Sequence, residues 1–252
     1  MFLTRIPLRK TWEVGAVEVG RSSAFFPLVG AGIGAMQSAL LWISLRVAAH
    51  ASQVFARTVA LPPSVLAVLI TAAGVWVTRA LHLDGVADMA DGFGGGRTRE
   101  DVLRIMRDHL IGSFGAVALI LVLALKFTSI MVLIEHGNAL PYLIIAPTLA
   151  RGSMVVLGFL LPYARSAEGG LGSSLQYIGQ IELLVSSGTA LALLSLVGWR
   201  RGSICVLVVL LVSLCSAYTC MRRIGGVTGD TLGANSEICE ALILATSSIL
   251  AS

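Results

Sequence analysis

Seven apolar runs, at roughly 25–45, 62–81, 113–134, 139–161, 181–199, 203–221 and 237–251, approach or reach the length that crosses a bilayer. No feature limits the fold more. Composition agrees: 56% of the 252 residues are hydrophobic, only 13% are charged, and the mean hydropathy is +0.87. A soluble domain carries about 25% charged residues. The runs predict an all-α, polytopic bundle of six or seven transmembrane helices in one domain, 1–252. The last run is the shortest. The polar stretches between runs are long enough only for short amphipathic helices in the cytoplasmic loops.

Basic residues set the expected orientation. If the first span starts inside, the N-terminal arm and the 82–112, 162–180 and 222–236 loops share the cytoplasmic side. They hold Arg5, Arg9, Lys10, Arg21, Arg97, Arg99, Arg104, Arg107, Arg165, Arg222 and Arg223, 11 of the 18 Lys and Arg. The opposite loops hold Arg46, Arg57, Arg200 and Arg201. That asymmetry predicts a cytoplasmic N-terminus. The acidic residues follow the same side, apart from Glu135 and from Glu182 at a helix start. Polar chemistry on one face suits an enzyme with soluble substrates better than a channel or carrier, whose function concentrates near the midplane. No basic stretch interleaves with aromatics, so nucleic acid is not an expected partner. Cys205, Cys215, Cys220 and Cys239 lack CxxC spacing and read as reduced core residues. The basic N-terminus does not read as a signal peptide, because its charges stand well apart from the first apolar run.

The most informative polar stretch is HLDGVADMADGFGGG, residues 82–96. Asp84, Asp88 and Asp91 stand at i, i+4 and i+7, so a helix puts all three carboxylates on one face. Like charges on one stripe repel, and a divalent cation removes the conflict. Oxygen-only ligands favour Mg²⁺ or Mn²⁺. Gly94, Gly95 and Gly96 follow at once and offer bare N–H groups to phosphate. A solvated acidic loop closed by glycines would produce the same residues.

Beyond the glycines, Thr98 reads as an N-cap with Asp101 three residues on, opening a helix over 99–110. Arg104, Arg107 and Asp108 share a face of it, as phosphate clamps or as a surface ion pair. Arg151 interrupts an apolar span, where an unpaired arginine costs roughly 2.5–3.5 kcal/mol, so it is expected to be paired or functional. Lys126 and Arg79 are weaker cases of the same kind. Gly30, Gly32 and Gly34 predict close helix packing in the first span, which Ser22 or Ser23 would cap. FLTRIP, residues 2–7, is too polar to span and suits the interface. The 163–174 loop is glycine-rich and carries Glu168 as its one carboxylate. In the 222–240 loop, Asp230 closes a glycine-rich turn and Asn235 or Ser236 is placed to cap the last helix. Glu237 and Glu240 then share its first turn, either stabilised by the helix macrodipole or as further metal or substrate ligands facing the aspartates.

FLTRIP at 2–7, SSAFFPLVGAGIG at 22–34, HLDGVADMADGFGGG at 82–96, RIMRDHLIGSFG at 104–115, EGGLG at 168–172 and GGVTGDTLGANSEICE at 225–240 together resemble the cobalamin synthase family, the adenosylcobinamide-GDP ribazoletransferases. The motifs occur in the family's order and cover nearly the whole chain. The resemblance implies a bacterial inner-membrane enzyme of the last steps of vitamin B12 assembly. Such an enzyme joins adenosylcobinamide-GDP to α-ribazole or its 5′-phosphate, releases GMP and requires Mg²⁺. Functional blocks carry over onto His82, Asp84, Asp88 and Asp91, onto Arg104, Arg107 and Asp108, and onto Asp230, Glu237 and Glu240. His109-Leu110 departs from the pattern, where a small residue is expected first, and the N-terminus is a few residues short of it.

On that reading Asp84, Asp88 and Asp91, with Glu237 and Glu240, hold one or two Mg²⁺ ions. Arg104, Arg107, Arg151, Asp230 and the three glycines contact phosphate or substrate. Asp91, with His82 as its rival, is the general base, and Asp108 completes the catalytic set. Homo-oligomers and association with other late cobalamin enzymes stay open. The rival is a CDP-alcohol-type phosphatidyltransferase, which needs an arginine where this chain has Asp88. A transporter finds support only in Arg151, Lys126 and Arg79.

Overall fold

The structure is a computed structural model that describes residues 3–5, 15–55, 58, 60–165, 174 and 176–251. Ten α-helices follow one another among these residues: α1 (Ala16–Ser22), α2 (Phe26–Val54), α3 (Pro63–Thr78), α4 (Leu81–Gly95), α5 (Arg99–Ile105), α6 (Ser113–Glu135), α7 (Ala139–Leu160), α8 (Gln180–Leu193), α9 (Trp199–Ile224) and α10 (Gly229–Ala251). The all-α membrane architecture stands, with fewer spans than the apolar runs predict. Four helical stretches are long and apolar enough to cross a membrane: the α1–α2 stretch, α6, α7 and α9. The bent pair α3–α4 would make a fifth.

Each lost span has a local cause. The run at 62–81 stops at Thr78 because Arg79 and Ala80 both take left-handed backbone, with φ of 56° and 58°, and α4 leaves at 87° to α3. Arg79 and Ala80 N–H groups close the end of α3 by donating to the Trp76 and Val75 carbonyls. Non-glycine residues in that region cost about 1–3 kcal/mol each, which surrounding structure must over-determine. The run at 181–199 gives only α8 and a 3-10 turn, Leu194–Leu196, before Gly198 adopts φ 77° and α9 begins. The run at 237–251 is the second half of α10, a longer and more polar helix.

The helix boundaries explain themselves. Thr98 caps α5 as expected, its hydroxyl accepting from the Asp101 N–H at 3.1 Å, but α5 ends at Ile105 rather than 110. Neither Ser22 nor Ser23 caps the first span. The chain passes from α1 through a 3-10 turn, Ser23–Phe25, into α2, and the Ser22 hydroxyl donates back to the Val19 carbonyl. α10 begins at Gly229, not near Asn235. Thr228 and Thr231 cap it reciprocally, each backbone N–H donating to the other's hydroxyl, at 2.9 and 3.2 Å.

α10 lies at the centre, packed against α4, α6, α7 and α9. α2 lies along α7, and two glycines make that contact. A Cβ on Gly30 would collide with the Pro147 carbonyl, and one on Gly34 with the Leu143 carbonyl, whereas Gly32 faces open space. Glycine at 30 and 34 therefore permits backbone-to-backbone approach, as small residues do between membrane helices. One apolar core joins Leu41, Ile70, Leu133, Ile145 and Ile243, and a second joins Phe26, Val102, Met154, Ile224 and Leu232. Of the FLTRIP segment, Leu3 enters the second core and the Arg5 guanidinium lies 4.8 Å from the centre of the Trp76 ring. Phe2, Ile6 and Pro7 lie outside the described residues.

Gly34→Ala is expected to cost about 1–3 kcal/mol by overpacking, read as a lower melting temperature in detergent. Gly32→Ala is the control and should lose nothing.

Candidate functional site

A cavity of about 310 Å³ opens where α4, the turn after α5 and the start of α10 converge. Asp84, Asp88, Arg107, Asp108, Arg165 and Asp230 supply its charged lining, with Met106, His109, Leu110 and Ile111 around them. Helix α4 delivers Asp84 and Asp88 from successive turns. The first turn of α10 delivers Asp230, where the positive end of the helix macrodipole favours a carboxylate. Gly85 lets the two helices meet, since a Cβ there would stand 2.5 Å from the Asp230 carbonyl oxygen.

Arg165 arrives by a different device. The Val227 N–H donates to the Pro162 carbonyl at 2.9 Å and the Ala164 N–H donates to the Val227 carbonyl at 2.8 Å. This short parallel bridge pins the chain after α7 to the glycine turn before α10. Gly226 allows it, because a Cβ there would strike the Pro162 carbonyl. Arg165 Nη1 then lies 3.3 Å from Asp230 Oδ2. Among the described residues, its buried Nε and Nη2 have no hydrogen-bond partner. Buried donors of this kind seek an acceptor, and a phosphate oxygen is the acceptor a guanidinium fork fits best. Sequence reasoning used Arg165 only for topology. The one signal for it was its place as a lone cation at the head of a glycine-rich loop.

The aspartate stripe is helical, but its members part company. Asp91 Oδ2 accepts from the Gly112 N–H at 2.7 Å and Oδ1 from the Gly115 N–H at 2.9 Å. Asp91 thus caps α6 from a neighbouring helix and does not line the cavity. Among the described residues, no group of three or more His, Cys, Asp or Glu is set to hold a metal ion. The donor chemistry of Asp84, Asp88 and Asp230 nonetheless fits a hard cation. They are acidic oxygens lining one cavity, and Arg165 is paired with one of them, Asp230.

The glycine run closes a helix rather than opening one. Gly94 and Gly95 belong to the last turn of α4 and Gly96 is its C-cap. A helix C-terminus presents carbonyls, the negative end of the macrodipole. Arg223 satisfies them, its Nη2 donating to the Phe93 and Gly96 carbonyls at 2.8 and 2.7 Å. Gly94 also makes room for the Phe114 ring.

Arg104, Arg107 and Asp108 do not share a helix face, since α5 ends before the last two. Arg107 and Asp108 line the acidic cavity, and also a neighbouring groove with Arg99, Glu100, Leu103 and Arg104. Arg104 lies 3.3 Å from Asp101 in the surface pair that the spacing allowed, and that hydrogen bond lowers the exposed Asp101 carboxyl below its usual range. Arg99 has a structural task, donating from Nε to the Ile224 carbonyl and from Nη2 to the Ala164 carbonyl, both at 2.8 Å.

Glu237 and Glu240 are not in a first turn and do not line the aspartate cavity. They stand two to three turns into α10, buried with Lys126 of α6 and Arg151 of α7. Lys126 Nζ lies 2.5 Å from Glu237 Oε1 and 2.8 Å from Glu240 Oε1, and Arg151 pairs with the other oxygen of Glu240. His82 is buried nearby against Gly233, and among the described residues neither ring nitrogen has a hydrogen-bond partner. Glu168 and the EGGLG segment lie outside the described residues.

The model of the family described as cobalamin-5-phosphate synthase matches residues 1–248. Relatives named adenosylcobinamide-GDP ribazoletransferase resemble the chain over almost its whole length. The one from Prosthecochloris aestuarii is 38% identical over 238 residues, 93% of this chain and 90% of the relative. The one from Syntrophobacter fumaroxidans is 39% identical over 254 residues, 99% and 96%. The one from Shewanella oneidensis is 37% identical over 247 residues, 95% and 87%. No solved structure matches.

Asp91→Ala should remove two charge-assisted bonds to the α6 amides and cost about 1–2 kcal/mol, the range of a lost N-cap. Its signature is a lower melting temperature, whereas Arg104→Ala should leave melting unchanged.

Proposed function

We propose, on the premise that the chain belongs to the cobalamin-5-phosphate synthase family, that it is a membrane-embedded transferase acting on adenosylcobinamide-GDP. It transfers the adenosylcobinamide phosphate to the ribose hydroxyl of α-ribazole, or of its 5′-phosphate, in the last steps of cobalamin assembly. The observation that carries the reading is the meeting of Asp84, Asp88, Asp230 and Arg165 at one cavity. Acidic oxygens beside a half-bonded guanidinium are what a pyrophosphate-cleaving site needs. The full-length likeness to ribazoletransferases selects the corrinoid substrate over a CDP-lipid.

The hydroxyl oxygen of the acceptor attacks the phosphorus nearer the corrinoid. The new P–O bond forms, the bridging P–O bond breaks, and GMP leaves with the electron pair. Transfer of this kind depends on positioning and charge neutralisation more than on covalent catalysis. Asp84, Asp88 and Asp230 would hold Mg²⁺. The chemistry a bound Mg²⁺ supplies there is neutralisation of charge on the pyrophosphate oxygens. Arg165 and Arg107 add two cations to the same cavity, where they would offset the charge of the pyrophosphate. Of Asp91, His82 and Asp108, Asp108 is the one among the cavity-lining residues, which supports it as the acceptor of the hydroxyl proton.

The positive-inside asymmetry supports a cytoplasmic face for the cavity, and the family's setting supports the bacterial inner membrane. The transporter reading loses its support. Lys126 and Arg151 are matched by Glu237 and Glu240, and Arg79 sits at the α3–α4 corner.

The test is turnover of detergent-purified protein with adenosylcobinamide-GDP and α-ribazole 5′-phosphate, with and without Mg²⁺, reading GMP and corrinoid product together. Metal-dependent formation of both is expected. GMP release without a corrinoid product refutes the transfer, and product formed equally well in a chelator refutes the metal. Asp84→Asn and Asp88→Asn should each cut kcat by about a hundredfold or more, the scale of losing a preorganised charge stabiliser, in protein that melts normally. Arg165→Ala should raise KM for the GDP substrate, and Asp108→Asn should lower kcat at nearly constant KM.

A further inference from the structure

Four ionisable side chains meet inside the bundle, away from the reaction cavity: Lys126 on α6, Arg151 on α7, and Glu237 and Glu240 on α10. Each is at least nine-tenths buried, at 8%, 2%, 5% and 4% exposure. Two cations face two anions, so the group is neutral as a set. The proposed reaction uses none of them. A buried pair of this kind is weak evidence for stability, because desolvation offsets the attraction. Its better attested use is to fix register.

The geometry shows which register is fixed. On α10, Asp230, Gly233, Glu237 and Glu240 follow at steps of three, four and three residues, which is one face of the helix. The upper end of that stripe lines the cavity with Asp230. Gly233 comes next and packs on His82 of α4, where a Cβ would stand 3.4 Å from the His82 Cα. The lower end carries the two glutamates. Along α10 the ten residue steps from Asp230 to Glu240 span about 15 Å of rigid rod. Sliding α10 by one residue would move Asp230 by about 1.5 Å relative to Asp84 and Asp88. It would also strip Glu237 and Glu240 from Lys126 and Arg151, leaving charges unpaired in the apolar interior. Apolar packing alone tolerates small slides better than paired charges do, since a misplaced Leu still finds apolar neighbours.

We infer that Lys126, Arg151, Glu237 and Glu240 act as positioning residues, locking the axial register of α10 so that Asp230 stands opposite Asp84 and Asp88 in the cavity. The inference rests on the function proposed above. It also moves Glu237 and Glu240 from candidate ligands to supports that act through Asp230.

The test compares Glu240→Gln, the double variant Lys126→Met/Glu237→Gln, which removes one charge of each sign, and the conservative Lys126→Arg. All are purified in detergent with the wild type. Turnover is measured per folded molecule, with kcat, KM for adenosylcobinamide-GDP, the Mg²⁺ concentration for half-maximal rate, and melting temperature. The expected result is a tenfold or greater fall in kcat and a raised Mg²⁺ requirement in Glu240→Gln and in the double variant, with kcat and Mg²⁺ requirement close to the wild type in Lys126→Arg, which keeps the charge. If Glu240→Gln does not fold, the charge-balanced double variant gives the same reading. Variants that lose only yield or melting temperature, with wild-type turnover per folded molecule, overturn the inference and leave a purely stabilising cluster. A wild type that forms no corrinoid product defeats the proposed function instead, so the two failures are distinct.

Discussion

A carboxylate placed inside an apolar bundle must meet a cation or be neutralised, and α10 brings two of them into the middle of this protein. That requirement ties α10 to two helices distant from it in sequence. Lys126 and Arg151 sit in α6 and α7, helices otherwise apolar enough to cross a membrane unaided. Each would be costly alone. Together with Glu237 and Glu240 they allow a polar helix to occupy the centre of the bundle, where an ordinary membrane protein would put an apolar one. The polarity of α10 also explains its unusual neighbours: Asn235 donates to the Ser153 hydroxyl at 2.8 Å, another bond that gives the helix a definite rotation against α7.

The cavity depends on that central helix and on three backbone devices around it. Two left-handed residues turn α4 sharply away from α3, so its aspartates face the start of α10. A two-bond parallel bridge brings Arg165 from the other side. Arg99 and Arg223 hold the frame, each donating to carbonyls that helices and turns leave open. These two arginines belong to the loop face that the sequence marks as cationic, and the structure gives each a bonding task there. The cations that line the cavity are fewer: Arg165 and Arg107.

The sequence was most legible where periodicity and composition act alone. Apolar length located α2, α6, α7 and α9, the aspartate spacing located α4, and Thr98 with Asp101 located the start of α5. Tertiary contacts decided what was misread. Nothing local marks Asp91 as the cap of α6, since its partners are backbone amides 21 and 24 residues on. The glycine run suits either a phosphate cradle or a helix end, and which one it is depends on the direction of the preceding helix. Thr228-Gly-Asp-Thr did carry a capping signal for α10. Asn235 and Ser236, closer to the apolar run, drew the boundary away from it, and the error moved Glu237 and Glu240 from the helix interior to its first turn. Lys126 and Arg151 were visible as anomalies, but their partners lie 89 to 114 residues away.

The capping role of Asp91 changes what the acidic motif is. Two of its aspartates face the cavity, and the third fastens α4 to the head of the next apolar helix through Gly112 and Gly115. Recognition and mounting are written into the same eight residues. Transplanting that octet into another helical scaffold would carry over the charges but leave behind the amides that hold its far end. The transplanted stripe would then wander relative to whatever it was meant to grip, and a faithful copy needs the glycine pair as well.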